Sequence, residues 1–331
     1  IIRVGERYSG MKQLGILFGL LMLLSGCSSK KYLAEGEYLL DRVDISTDTT
    51  IRLNTSMLSG YVRQQPNSRW VSLVKLPLGI YLMSNPGSNS AFSKFVRKMG
   101  EAPVVYDTVL SERSRQRIQD AMFNMGYLHA KVSTHERFSG HKVKVNYSIH
   151  PGERYSVESI DVLVRDTAIA KEVEKIADAS CLKVGMPFDA NLLNMERSRI
   201  TRHLADNGYY AFNRDYIHFE VDTAEGSNQV RMKMLVEDYI DPIDKTVRPH
   251  QVYRFGDIKF EYDRSTGSPI WFRKSLLNNA SSLASGELYR ESDVSDTYGR
   301  MNRLGAVAAT NVRLEPNVQD SSLLDANIVI T

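Results

Sequence analysis

The hydrophobic and polar positions of this chain fall into a unit that recurs. From Val109 to Ile149 there is a helical run whose Ile118, Met122 and Phe123 share an inward stripe, with Ser111 read as its cap, then Gly126-Tyr127, then two alternating segments separated by Ser139-Gly140. In the second segment Val143, Val145, Tyr147 and Ile149 alternate with Lys144, Asn146 and Ser148, the clearest half-buried strand in the sequence, and the short separation predicts a hairpin. The order returns between Phe188 and Val236: a helical run over 191–204, Asn207-Gly208-Tyr209-Tyr210, a strand over 216–221, Glu225-Gly226 and a strand over 230–236. A fainter copy lies between Tyr289 and Ile330. Twenty residues separate Tyr106 from Gly126 and Phe188 from Gly208, whereas sixteen separate Tyr289 from Gly305. The difference of about four residues is close to one helical turn, which lengthens a helix without rotating its buried face. Pivotal glycines 82 and 97 residues apart suit an array of small domains.

Segments ahead of each unit complete it. A first strand is expected over 37–46, where the alternation slips once, and a helix over 54–62, with Asn54 or Thr55 as N-cap and Leu58, Tyr61 and Val62 on one side, stopped by Gln65-Pro66-Asn67. Residues 70–83 are mostly apolar, Asn85-Pro86-Gly87 turns the chain, and 91–99 reads as an amphipathic helix with Phe92, Phe95, Val96 and Met99 in register. This insertion, about 70–105, has two open roles. One is packing over the domain core; the other is a surface that touches membrane or a partner protein, because Lys94, Arg97 and Lys98 lie opposite the aromatics. In the second copy a strand over 157–164 precedes a helix over 168–177. A polar linker, 241–249, leads to the third, with a strand over 252–262, helices over 270–277 and 292–304, and strands at Val312 and over 324–330. Each copy thus reads strand, helix, helix, strand, strand, an α+β arrangement.

The N-terminus stands apart from this pattern. Residues 14–24 form an apolar run of eleven behind Met11 and Lys12, too short to span a bilayer and suited to the core of a signal peptide. Leu24-Ser25-Gly26-Cys27 follows and resembles the lipobox of a bacterial lipoprotein, in which cleavage precedes the cysteine and Cys27 carries the lipid. Residues 1–10 are read as upstream translation, 11–26 as signal peptide and 27–36 as a polar tether. Ser28 after the cysteine favours, by analogy with enteric lipoproteins, passage to the outer membrane. The second cysteine, Cys181, is expected to pack as a small apolar residue.

The repeated order is similar to that of the POTRA module, the polypeptide-transport-associated domain in which two helices cover one face of a three-stranded mixed sheet. Gly126-Tyr127 and Gly208-Tyr209 match the module's most recurrent feature, while Leu304-Gly305-Ala306-Val307 replaces it without the aromatic. Tandem POTRA-like domains at 37–151, 152–243 and 249–331 behind a lipobox resemble the lipoprotein branch of the BamA/TamA family of outer-membrane assembly proteins, the TamL-like forms of Bacteroidetes. Residues 31–40, Lys-Tyr-Leu-Ala-Glu-Gly-Glu-Tyr-Leu-Leu, are similar to the start of their mature chains. The resemblance implies an outer-membrane, lipid-anchored protein whose POTRA region lies in the periplasm. The family's C-terminal β-barrel is missing from this sequence, and a truncated gene or fragment is inferred.

Composition and motifs narrow the function further. At 331 residues with 24% charged and 42% hydrophobic positions the chain is ordinary folded protein, and a net charge of +3 without a basic, aromatic-interleaved cluster argues against nucleic acid. No catalytic constellation, phosphate loop or metal motif emerges, so no enzyme, cofactor or metal is expected. His129, His135 and His141 recur at intervals of six, but a hairpin reverses between them, and Glu112-Arg113 and Glu196-Arg197 read as solvated helix charges. What remains is backbone chemistry: a sheet covered on one face keeps an edge of unpaired N–H and C=O groups that an extended chain can join. The resemblance places that edge after Gly-Tyr, at 128–136 and 210–221, with Leu128, Ala130, Val132, Tyr210, Tyr216 and His218 as candidate binding residues. Expected partners are nascent outer-membrane proteins or other polypeptides, further subunits of an assembly or translocation complex, and the membrane through the N-terminal lipid. Two readings stay open: a polypeptide-binding scaffold, or a standalone envelope lipoprotein whose repeats act as spacer or adaptor, with the edges merely packing on neighbouring domains.

Overall fold

A computed structural model describes residues 29–47, 53–69, 75–223, 226–241, 243–262, 272–304 and 310–330. The signal segment, Cys27, residues 70–74, Glu225, Ile270 and Gly305-Ala306-Val307 lie outside the described residues. Contacts divide the chain into two compact units, Ile1–Arg154 and Tyr155–Thr331.

The first unit contains strand β1 (Leu39–Thr47), helices α1 (Thr55–Leu58), α2 (Leu76–Leu82), α3 (Ala91–Met99) and α4 (Thr108–Asn124), and strands β2 (Lys131–Ser139) and β3 (Lys142–His150). The sheet order is β1-β3-β2, with β1 parallel and β2 antiparallel to β3. The slip in the β1 alternation is a register shift between Leu40 and Arg42. Strand β3 buries Val143, Val145, Tyr147 and Ile149 against Ile118, Ala121 and Met122 of α4, Leu58 of α1 and Val62 beyond it, and each buried Val, Leu, Ile or Met side chain contributes about 1.5–3 kcal/mol on leaving water.

Several local features differ from the expectation set by the sequence. The cap of α4 is Asp107, whose carboxylate accepts from the amides of Val109 (2.7 Å) and Leu110 (3.1 Å), while Ser111 is buried with its hydroxyl 3.1 Å from that of Tyr147. Phe123 and Tyr61 face outward rather than into the core. Residues 54–62 split into the single turn α1 and a 3-10 turn at Ser59–Tyr61, and Asn54 makes no side-chain cap.

The second unit contains two modules. Strand β4 (Ser156–Val164), helices α5 (Thr167–Lys175) and α6 (Ala190–Ala205), and strands β5 (Ile217–Thr223) and β6 (Gln229–Val236) form the first, with sheet order β4-β6-β5. A small hairpin, β7 (Tyr239–Ile240) with β8 (Val247–Arg248), occupies the stretch read as linker; Asp241 closes it by accepting from the amide of Ile243 at 2.8 Å. The next module comprises β9 (Arg254–Tyr262), α7 (Lys274–Ala280), α8 (Glu291–Asn302), β10 (Thr310–Pro316) and β11 (Leu323–Ile330), with order β10-β11-β9. Strands β6 and β11 alternate strictly, burying Val230, Met232, Met234 and Val236 in one and Leu324, Ala326, Ile328 and Ile330 in the other. Three α+β modules with three-stranded mixed sheets and strand-helix-helix-strand-strand connectivity are therefore present, the fold class expected from the sequence. Among the described residues no helix is long and apolar enough to cross a membrane.

Candidate functional site: open and closed strand edges

The first strand of every module is closed at its start by the segment that leads into the second helix. Tyr106 donates its amide to the carbonyl of Tyr38 (2.7 Å), Phe188 to Tyr155 (2.8 Å) and Tyr289 to Tyr253 (3.0 Å). The reciprocal bonds run from Leu40 to Val104 (2.8 Å), Val157 to Met186 (2.9 Å) and Phe255 to Glu287 (2.9 Å). The aromatic that opens each repeat thus stitches a short extra strand onto β1, β4 and β9, and it does so in all three copies.

The opposite edge carries no such strap among the described residues. Strand β2 pairs only with β3, from Lys131 opposite His150 to Ser139 opposite Lys142, and β5 pairs only with β6, from Ile217 opposite Val236 to Thr223 opposite Val230. Along β2 the side chains of Lys131, Ser133, His135, Glu136, Arg137 and Phe138 are exposed and only Val132 is buried, so the backbone is the continuous feature it presents. Lysine and other charges on an edge discourage pairing with a second copy of the same edge. Glu136 accepts from the Tyr106 hydroxyl, and burial followed by that carboxylate pushes the Tyr106 phenol up to about 12.

The Gly-Tyr pivots act as expected of a helix end. Gly126 (φ 91°) and Gly208 (φ 94°) take the left-handed conformation after α4 and α6, where the amides of Tyr127 and Tyr209 return to the carbonyls of Met122 (3.0 Å) and Leu204 (3.1 Å). Tyr209 is buried, and the Tyr127 ring lies under the Arg154 guanidinium at 5.6 Å.

The candidate binding residues do not form one patch. Val132 is in β2 and His218 in β5, but Leu128 and Ala130 precede β2, and Ala130 is buried. Tyr216 sits in a 3-10 turn, its ring 4.7 Å from that of His250. Tyr210 is off the edge altogether: its ring meets those of Tyr253 (5.7 Å) and Tyr289 (5.2 Å) where the two modules of the second unit join. His250 locks the same junction, donating its amide to Asp166 Oδ2 at 2.8 Å while Asp166 Oδ1 caps α5.

Glu196 was missed by the sequence reading. It is not solvated but 3% exposed, accepting from Arg199 (2.6 and 2.9 Å), the Ser180 hydroxyl (3.0 Å) and the Cys181 amide (3.0 Å). Its spacing to Arg199, i to i+3, was the available signal. Cys181 is half-buried, its thiol free. Among the described residues no three His, Cys, Asp or Glu side chains gather into a metal site.

Compared by sequence, the chain matches no family model and no curated protein. Compared by structure, it is similar to solved chains that include POTRA segments. The POTRA3-5 segment of Haemophilus influenzae BamA aligns over 90% of this chain and 99% of that one, at 15% identity and a TM-score of 0.48. The POTRA1-3 segment of the periplasmic domain of Omp85 from Anabaena aligns over 89% and 95%, at 12% identity and a TM-score of 0.29. CdiB from Acinetobacter baumannii aligns over 54% and 29%, at 10% identity and a TM-score of 0.24.

Proposed function

We propose that this chain is the tandem POTRA region of a BamA/TamA-like outer-membrane lipoprotein and serves as a non-enzymatic, periplasmic polypeptide-binding scaffold. Lipid on Cys27 holds it at the outer membrane, and it engages clients or partner subunits by adding their extended segments to β2 and β5. The observation that carries this reading is the asymmetry of the edges: the start of each first strand is strapped by its own module, while β2 and β5 pair with a strand on one side only, the Val132 carbonyl of β2 alone among the described residues being taken up, by the Arg115 guanidinium at 3.3 Å. Backbone pairing tolerates any client sequence, which suits a carrier of many polypeptides.

The test is a pair of neighbouring proline variants in β2, Thr134→Pro and His135→Pro. Amides along an edge strand alternate between facing the sheet and facing out. The variant that loses the outward amide should keep its circular dichroism and lose client photocrosslinking to β2. A folded variant of that kind that crosslinks undiminished would exclude strand addition at this edge.

A further inference from the structure

Helix α3 buries the wrong face for a core helix. The sequence pattern sets Phe92, Phe95, Val96 and Met99 on one stripe, open to core packing or to a surface role, and the structure buries Ser93 and Val96 and leaves Phe92, Phe95 and Met99 at 57%, 62% and 61% exposure. Arg97 turns away from its basic neighbours and closes the α2–α3 loop, donating to the carbonyls of Asn85 (2.8 Å) and Ser88 (2.5 Å). Lys94 and Lys98, one turn apart and both exposed, run beside the Phe95–Met99 row, and the helix carries no acidic residue. Met83, exposed at the end of α2, adds a further apolar side chain to the hairpin. The hairpin is rigidly built: the amide of Glu101 donates to the Pro77 carbonyl at 3.0 Å, and a Cβ on Gly100 would fall 2.4 Å from the Tyr81 nitrogen.

The position of this surface in the chain says what covers it. Lys31 donates to the Ser84 carbonyl and the Tyr32 hydroxyl lies against the Ser84 hydroxyl, both at 2.5 Å, and the Tyr32 ring packs on that of Tyr81 at 5.2 Å. The chain is therefore pinned to the end of α2 at Lys31 and Tyr32, four and five residues after Cys27 in sequence. Connectivity alone keeps the Cα of Cys27 within about 7 Å of that of Ser29. On the lipid-anchored reading proposed above, an acyl group on Cys27 would enter its membrane only a few residues along the chain from the contacts of Lys31 and Tyr32 with the α2–α3 hairpin.

We propose that Phe92, Phe95 and Met99 insert into the interfacial layer of an anionic phospholipid bilayer, making the α2–α3 hairpin a second foot next to the lipid anchor. Aromatic and methionine side chains enter the acyl boundary, while Lys94 and Lys98 extend their stems along it and keep their ammonium groups among phosphates. A single weak insertion becomes stable when a neighbouring lipid supplies the local concentration, and the foot in turn fixes the height and rotation of the first module, which one flexible tether cannot do. The foot deepens the anchored-scaffold reading, and its test separates the two.

The full chain carrying Phe95→Trp is reconstituted with vesicles of phosphatidylethanolamine and phosphatidylglycerol containing brominated acyl chains, and its quenching is compared with that of the parent chain, whose Trp70 and Trp271 set the background. Added quenching in the Phe95→Trp chain is expected, and it should fall about fivefold for each of Lys94→Gln and Lys98→Gln. No added quenching overturns the foot, even where mass spectrometry finds Cys27 acylated. Quenching with an unacylated Cys27 keeps the foot and removes the anchor. A photocrosslinker at Phe95 in cells gives a lipid adduct if the foot is correct, and a protein adduct there overturns it.

Discussion

The ring of Tyr210 meets the ring of Tyr289 edge-on, with centroids 5.2 Å apart and planes at 80°. The first belongs to the turn after α6 and the second to the strap of the following module, so one aromatic contact joins two repeats. Burial raises the Tyr289 phenol well above its usual range. Tyr210→Ala should lower the stability of the second unit by about 2 kcal/mol, combining lost area with the edge contacts to Tyr253 and Tyr289. Tyr210→Phe should stay within about 0.5 kcal/mol, since the hydroxyl makes only a long, 3.5 Å bond to the Leu314 carbonyl. Denaturant midpoints decide this, with protease sensitivity at 241–249 as a second readout.

Two left-handed glycines separate backbone strain from packing. Gly185 (φ 82°) has open space where a Cβ would go, whereas a Cβ on Gly208 would lie 2.6 Å from Val252 Cγ1 and 2.8 Å from Leu288 Cδ1. Gly185→Ala should cost only the conformational penalty, about 1 kcal/mol. Gly208→Ala should cost about 1–2 kcal/mol more, because Val252 and Leu288 must move out of the junction. Equal costs for the two variants in urea melts would remove the packing role assigned to Gly208.

The buried Glu196 makes part of the stability acid-sensitive. Burial by itself pushes its carboxyl up, but Arg199, the Cys181 amide and the Ser180 hydroxyl together hold it below the usual carboxylate range. With its folded value below the unfolded value of about 4.3, the contribution is complete above that pH and is lost as pH falls through the folded value. Glu196→Gln should therefore cost about 2 kcal/mol at neutral pH, and the gap to the parent chain should narrow below about pH 4. A gap independent of pH in denaturant titrations would contradict the assignment.

Gly100 tests the α2–α3 hairpin as a folded element. Its absent Cβ lets the end of α3 lie against the Tyr81 and Pro77 backbone, and backbone cannot swing aside as a side chain can. Gly100→Ala should cost about 2 kcal/mol and open the hairpin, seen as faster amide exchange at Ser84 and Gly100 than in the parent chain. Unchanged exchange would mean the contact is relaxed without loss.

Much of the architecture was legible in the residues. The strict alternation of Val143, Val145, Tyr147 and Ile149, the pivots at Gly126 and Gly208, and the slip near Leu40 are short-range patterns, and each maps onto a strand, a helix end or a register shift. The repeated spacing of Tyr106 and Phe188 from those glycines marked a real device, although its function as a strap became visible only when the amides found Tyr38 and Tyr155. Of the candidate residues, Val132 and His218 fall within the outer strands β2 and β5, while Leu128, Ala130, Tyr210 and Tyr216 precede them.

Local periodicity thus determines which segments become helix or strand and which residues share a stripe, because backbone geometry repeats every 3.6 or 2 residues whatever lies nearby. It does not decide which stripe is covered. On α3 Ser93 and Val96 are covered while Phe95 is not, the helix end lying against Tyr81 and Pro77 at Gly100, Glu196 is buried because the chain returns at Ser180 and Cys181, and Tyr210 is a junction residue because the next module supplies Tyr253 and Tyr289. Each of those partners lies well outside the local turn, and burial is a property of the partner as much as of the residue.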